Sequence, residues 1–232
     1  MVANVQVPHL GTGLYTPREA AAFAKVKTQT LNRWFFGDAH GDPALKPRIR
    51  SDGVERDDRL ITFHDLIEAV AVRTMRRSCE GKIELSHIRD VVNECEAKGL
   101  SSPLARQHIL YWFSNRLILN TPENDYIGLK PGTDKSQLYH GIIIDPFLKE
   151  VTFDRGLAQV WTPLSGANFS VKLDADRRFG MPIIEPGGIL VSALTDAVIS
   201  EGSIDSAATA FEIDAEAVLL ALKYEEYLMS PA

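Results

Sequence analysis

Apolar residues in the first hundred positions recur at helical spacing in four short blocks. Ala20, Phe23 and Ala24 stand at i, i+3 and i+4, and Leu31, Trp34 and Phe35 repeat the pattern. Phe63, Leu66, Ile67 and Val70 make a third stripe; Ile88, Val91, Val92 and Cys95 make a fourth. Local chemistry marks their ends. Thr16 can cap the first block, with Pro17 in its first turn and Glu19 three residues after the cap. Gly37 stops the second and Gly99 the fourth, while Thr62 caps the third and Asp65 complements its dipole. These patterns predict helices over about 16–24, 28–36, 62–77 and 84–98.

The first two helices are joined by about three residues, which makes them a helix-turn-helix, a module that commonly lays its second helix in the major groove of DNA. The faces left over carry Arg18, Lys25, Lys27, Thr28, Gln29, Asn32 and Arg33, types that hydrogen-bond phosphates and base edges. Between the second and third helices, residues 37–61 hold the basic run Lys46-Pro47-Arg48-Ile49-Arg50. A β-hairpin wing there would lay Lys46, Arg48 and Arg50 along a phosphate backbone. Arg73, Arg76 and Arg77 close the third helix, where the helix dipole alone accounts for them.

Past residue 100 the period changes. Ser102-Pro103 starts a predicted helix to about residue 115, anchored by Leu104, Ile109, Trp112 and Phe113. Residues 120–136, rich in Thr, Pro, Asn, Asp and Gly, read as a loop or boundary. Short strand-like runs follow at 139–144, 150–154, 157–162 and 169–173, a small antiparallel sheet. From residue 174 a hairpin turning at Glu185-Pro186-Gly187-Gly188 leads into three helix patterns. The first runs to Glu201 and ends at Gly202. The second spans 204–211 with Ser203 or Asp205 as cap. The third spans 214–227 and packs through Val218, Leu219 and Leu222. The expected class is α+β. Its parts are an irregular arm (1–13), a winged helix-turn-helix (14–100), a helix plus small sheet (101–173) and a hairpin with three helices (174–232).

Charge sorts these parts. The chain is net −6, yet residues 1–100 carry 15 Lys+Arg against 14 Asp+Glu, and residues 174–232 carry 3 against 11. Any contact with a polyanion belongs to the first part, and the last suits a protein partner. No apolar run reaches membrane-spanning length and no charged-then-apolar leader opens the chain, so cytoplasmic residence is the expectation. Cys79 and Cys95 lack metal-ligand spacing and read as buried thiols. The six histidines show no HxH or HExxH spacing, and Asp145, Glu150 and Asp154 read as turn carboxylates. We therefore expect no catalytic residue, no metal and no cofactor.

Two resemblances sharpen the reading. "LYTPREAAAFAKVKTQTLNRWF", "ITFHDLIEAVAVRTMRR" and "IELSHIRDVV" resemble the winged helix-turn-helix of the MerR superfamily. Lys27 stands where such readers usually carry a Ser or Thr cap. "RFGMPIIEPGGILVSALTDAVISEGSIDSAATAFEIDAEAVLLALKYEEYL" resembles a small antitoxin domain of bacterial toxin–antitoxin operons, whose turn usually carries Thr-Arg in place of Gly188-Ile189. The combination is similar to VapB-type antitoxins. The resemblance implies a dimer that represses its own operon through operator DNA and neutralises a PIN-type ribonuclease toxin. On that expectation Thr28, Gln29, Asn32 and Arg33 approach base edges, while Arg18, Lys25, Lys27, Lys46, Arg48 and Arg50 hold the backbone. The alternative is a MerR-like regulator sensing a metabolite in an apolar pocket built from Trp112, Phe113 and Trp161.

Overall fold

A computed structural model describes residues 13–39, 41–49, 59–78, 83–107, 109–113, 116–120, 126–128, 142–143 and 148–231. Residues 1–12 of the N-terminal arm, Arg50, Cys79 and the side chains of Trp112 and Phe113 lie outside the described residues. The fold is α+β, with two compact units that divide between Ala158 and Gln159. The strands expected in the middle region over 157–162 and 169–173, observed at 157–165 and 170–174, thus fall mostly with the C-terminal helices.

The unit that begins at Tyr15 is built on four helices: α1 (Pro17–Phe23), α2 (Thr28–Phe36), α3 (Phe63–Ser78) and α4 (Leu85–Ala97). α1 starts as its residues dictate. The Glu19 N–H donates to Thr16 Oγ1 at 3.2 Å, and the Thr16 N–H donates back to Glu19 Oε2 at 2.8 Å. That reciprocal box satisfies two donors at the helix start, so Thr16→Ala is expected to lower stability by about 1 kcal/mol, read from a denaturant midpoint. Tyr15, buried, meets Phe23 edge-on at 5.6 Å and fixes the entry to α1. Thr62 caps α3 in the same reciprocal manner, with Asp65 as partner: Thr62 N–H and Oγ1 donate to Asp65 Oδ2 at 2.9 and 2.8 Å. The predicted inward stripes hold. Leu31, Phe63, Leu66, Ile67, Ile88 and Cys95 are fully buried.

Short strands complete the unit. β1 (Leu14–Tyr15) pairs with β2 (Ile61–Thr62). β3 (Ile109–Phe113), β4 (Arg116–Asn120), β5 (Tyr126–Ile127) and β6 (Ile142–Ile143) form an antiparallel sheet ordered β5-β4-β3-β6. The helix expected over 103–115 is therefore corrected: a 3-10 turn at Pro103–Ala105 is followed by β3. Five consecutive apolar or aromatic residues, Ile-Leu-Tyr-Trp-Phe, favour a pleated strand over a helix. β3 pairs with β4 in unbroken register, from Ile109↔Asn120 to Phe113↔Arg116, and with β6 on its other edge. β7 (Val151–Asp154) closes this part.

The second unit takes β8 (Leu157–Ser165), β9 (Ser170–Asp174), β10 (Ile183–Glu185) and β11 (Ile189–Leu190), antiparallel neighbours in that order, and covers them with α5 (Val191–Glu201), α6 (Ile204–Ala210) and α7 (Ala215–Met229). Ser203 caps α6 by accepting from Ser206 N–H at 3.1 Å, and Asp214 caps α7 by accepting from Glu216 N–H at 2.8 Å. The core differs from expectation on α7. Ala217, Val218, Leu220, Ala221 and Tyr224 face inward, whereas Leu219 is exposed and Leu222 half-buried. Positions 217, 220/221 and 224 carry the i, i+3/i+4, i+7 spacing, and two alanines in that stripe leave room for α5 and the sheet.

Candidate nucleic-acid interface

The four residues between α1 and α2 make a tight corner. Lys25 adopts a left-handed conformation (φ 51°), which turns the chain and tucks its side chain inward. Lys27 is the cap residue of α2 but gives no side-chain hydrogen bond to it. The start of α2 thus presents amide donors and lysines with no carboxylate in its first turn.

That corner opens onto a depression of about 700 Å³. Lys25, Lys27 and Arg33 line one side; Arg73, Arg76 and Arg77, from the last turns of α3, line the other; Trp34, Val26 and Leu85 supply apolar floor. Six cations surround one hollow, with Asp38 as the single lining carboxylate among the described residues, and they repel one another. The repulsion registers on Lys25. Burial, then the Arg73 and Arg77 charges, pulls its ammonium below the ordinary lysine range. A phosphate in the hollow would relieve the repulsion among these cations.

A second depression of about 400 Å³ lies beside the first. It is lined by Gln29, Asn32, Arg33, Gly37, Asp38 and Arg59. Arg59 lies over the Phe36 ring at 4.5 Å from its centroid, a cation–π contact that holds the guanidinium against the end of α2. Gln29, Arg33 and Asp38 line both hollows, so the outward face of α2 is a ridge with cations on either side.

Six residues expected at a nucleic-acid contact lie on or beside this ridge. Lys25, Lys27, Gln29 and Arg33 line the larger hollow, and Asn32 lines the smaller with an Oδ1 that has no hydrogen-bond partner among the described residues. Thr28 is exposed in the first turn of α2. Arg18 is exposed on α1 and lines neither hollow. Lys46 and Arg48 are committed within their own unit. Lys46 Nζ pairs with Glu96 at 2.7 Å, the Arg48 N–H donates to Asp65 at 3.2 Å, and its guanidinium donates to Ser102 Oγ at 3.3 Å. Residues 46–49 form no strand. Sequence reasoning misses Arg59, Arg73, Arg76 and Arg77 as site residues. The spacing 73/76/77 does place three arginines on one helix face, but only the packing of α3 reveals that the face looks at the start of α2.

The first half of α3 buries two carboxylates one turn apart. Asp65 and Glu68 are essentially without solvent exposure. Burial pushes Asp65 up to about 6, against hydrogen bonds from Thr62 and Arg48 that favour its charge. Burial pushes Glu68 up to about 8, and its Oε1 accepts from the Leu104 N–H at 3.0 Å. In the described residues no group of three or more His, Cys, Asp or Glu is arranged to hold a metal. Trp161, expected in either a core or an effector pocket, is a core residue. No helix among the described residues is long and apolar enough to cross a membrane.

No family model matches this sequence, and no curated protein does. Among solved structures, the crystal structure of Rv2018 from Mycobacterium tuberculosis is similar in fold. Its TM-score is 0.58 at 18% identity, over 90% of this chain and 96% of that one.

Proposed function

We propose that this protein is a DNA-binding transcriptional repressor, and that it acts in the cytoplasm as the antitoxin of a toxin–antitoxin pair. The observation that carries the DNA reading is the ridge: a polar helix face with a cationic hollow on each side. A B-DNA major groove is about 12 Å wide and admits one helix between two phosphate backbones. Gln29, Asn32 and Arg33 would meet base edges there, while Lys25, Lys27 and the α3 arginines face one backbone and Arg59 the other. One such module makes few contacts, so two copies on a two-fold operator are the expected binding unit.

The antitoxin half of the proposal rests on the C-terminal resemblance, and the surface of that unit supports it. Residues 174–232 carry 3 basic against 11 acidic residues. Ile199 and Met229 are 81% and 79% exposed, apolar groups that a soluble partner would cover. Half-buried Glu225 is pushed above the usual carboxylate range by burial and by Asp196 opposite. A basic protein surface would relieve that repulsion, as the basic face of a PIN-type ribonuclease would do.

The test uses the full chain, alone and mixed with the product of the adjacent gene, on a duplex covering the DNA upstream of its own gene. The proposal expects retardation of that duplex, and co-elution of the two proteins on size exclusion. No binding to the duplex at low salt would reject the repressor role. Separate elution of the two proteins would reject the antitoxin role alone.

A further inference from the structure

The pair Arg33–Asp38 sits on the ridge between the two hollows, and its construction is tighter than an ordinary surface ion pair. α2 ends at Gly37, which has φ +70°; a Cβ there would lie 2.8 Å from the Gly41 carbonyl oxygen. Asp38 and Gly41 then exchange backbone hydrogen bonds, Asp38 N–H to Gly41 O at 3.1 Å and Gly41 N–H to Asp38 O at 3.3 Å. Three residues on, the Ala44 and Leu45 N–H groups both donate to the Trp34 carbonyl at 2.9 Å, and both side chains are buried. The turn bearing Asp38 is thus fastened to α2 at both ends. From it, Asp38 Oδ2 lies 3.2 Å from Arg33 Nε.

The two side chains are 34% and 55% exposed, so the pair adds little to stability. Its consequence is orientation. Engaging Nε leaves Nη1 and Nη2 as a planar two-donor fork, and neither makes a hydrogen bond with the described residues. A fork of donors matches guanine, whose major-groove edge offers two acceptors, O6 and N7. It mismatches adenine, which offers one acceptor and one donor. The charge argument agrees. A guanidinium already paired to a carboxylate is a poor phosphate ligand, and the Asp38 carboxylate would repel a backbone phosphate. A neutral base edge suits it.

We propose that Asp38 is a positioning residue for Arg33, and that the pair reads a guanine in the major groove. This rests on the DNA reading above and names the base it recognises. Lys27, Arg76 and Arg77, by contrast, have no carboxylate within salt-bridge distance among the described residues, and they suit the phosphate backbone.

The experiment is selection from a random duplex library by the full-length protein as wild type, Arg33→Lys and Asp38→Asn, followed by binding to the selected duplex with its key guanine replaced by 7-deazaguanine. Wild type should enrich a fixed guanine in each half-site, and lose about tenfold to a hundredfold in affinity on the 7-deaza duplex. Arg33→Lys should enrich no guanine, since an ammonium has no fork, and its affinity should not fall further on the 7-deaza duplex. Asp38→Asn should lose guanine preference while binding nonspecific duplex as well as or better than wild type, because a negative charge has gone. A residue that merely held the fold would weaken both kinds of binding together. Enriched sites without a fixed guanine, or undiminished guanine preference in Asp38→Asn, would overturn the proposal and leave the DNA reading standing. If the wild type enriches nothing and binds no duplex, both fail.

Discussion

Replacing Arg76 and Arg77 together by glutamate is expected to lower affinity for duplex DNA at least about a hundredfold, since each charge-assisted hydrogen bond contributes about 1.5–3 kcal/mol. Both line the larger hollow from the last turn of α3. The substitution removes two cations and adds two anions beside Lys25 and Lys27. The salt dependence carries the sharper signature: for every phosphate no longer neutralised, the slope of log K against log salt should flatten by about 0.9. Stability sets the competing explanation. Cations at a helix C-terminus contribute about 0.3–1 kcal/mol each through the dipole and anions there cost a similar amount, so the double charge reversal should cost the fold no more than about 4 kcal/mol. The neutral pair Arg76→Gln/Arg77→Gln separates the two, as it should flatten the slope while keeping most of the stability. An unchanged slope in either variant would remove α3 from the interface.

The second large effect concerns pH. Glu68 is fully buried on α3 and its carboxyl is pushed up to about 8, against an unfolded value of 4.5. A group whose folded pKa is raised stabilises the fold below its unfolded pKa, and that stability is lost as pH rises through the folded pKa. Between about pH 5 and 8 the folded chain holds one proton that the unfolded chain has released, a slope of about −1.4 kcal/mol per pH unit. Asp65, raised to about 6, adds loss in the same direction over the lower part of that window. Glu68→Gln keeps a neutral acceptor for the Leu104 N–H and removes the titrating proton. Denaturant unfolding of the unit, followed by amide exchange on α3, should therefore show stability declining with pH in the wild type and much less in Glu68→Gln. Equal slopes in the two proteins would show that Glu68 does not hold this proton.

The elements legible in the sequence are those whose ends are written locally. Thr16, Thr62, Ser203, Gly99 and Gly202 are caps or stops that act within a turn of themselves, and the helices begin and end beside them. β3 imitates a helix in sequence because Leu104, Ile109, Trp112 and Phe113 keep a helical period while Leu110 and Tyr111 between them are also apolar. Only partner strands decide such a run. On α7 the pattern misleads by one step, since Leu219 and Leu222 are larger and more hydrophobic than the alanines that are buried in their place.

The candidate site divides along the same line. Lys25, Lys27, Gln29, Asn32 and Arg33 stand on or beside one short helix, so local pattern finds them. Arg73, Arg76 and Arg77 are some forty residues away in sequence and have a sufficient local explanation in the helix dipole. Lys46 and Arg48 show the converse. A compact basic run looks like a phosphate-binding strip, yet Glu96, Asp65 and Ser102, distant in sequence, take up its charges and donors. Charge density along a chain does not reveal which charges are already paired.

The central claim is that the outward face of α2 meets nucleic acid and the acidic C-terminal unit does not. Its most direct test places a photo-crosslinking amino acid at Gln29 or at Leu219 of the full-length protein, with irradiation on duplex DNA from upstream of its gene. Position 29 should yield a protein–DNA adduct that excess salt abolishes, and position 219 should yield none. An adduct at 219 with none at 29 would contradict the account.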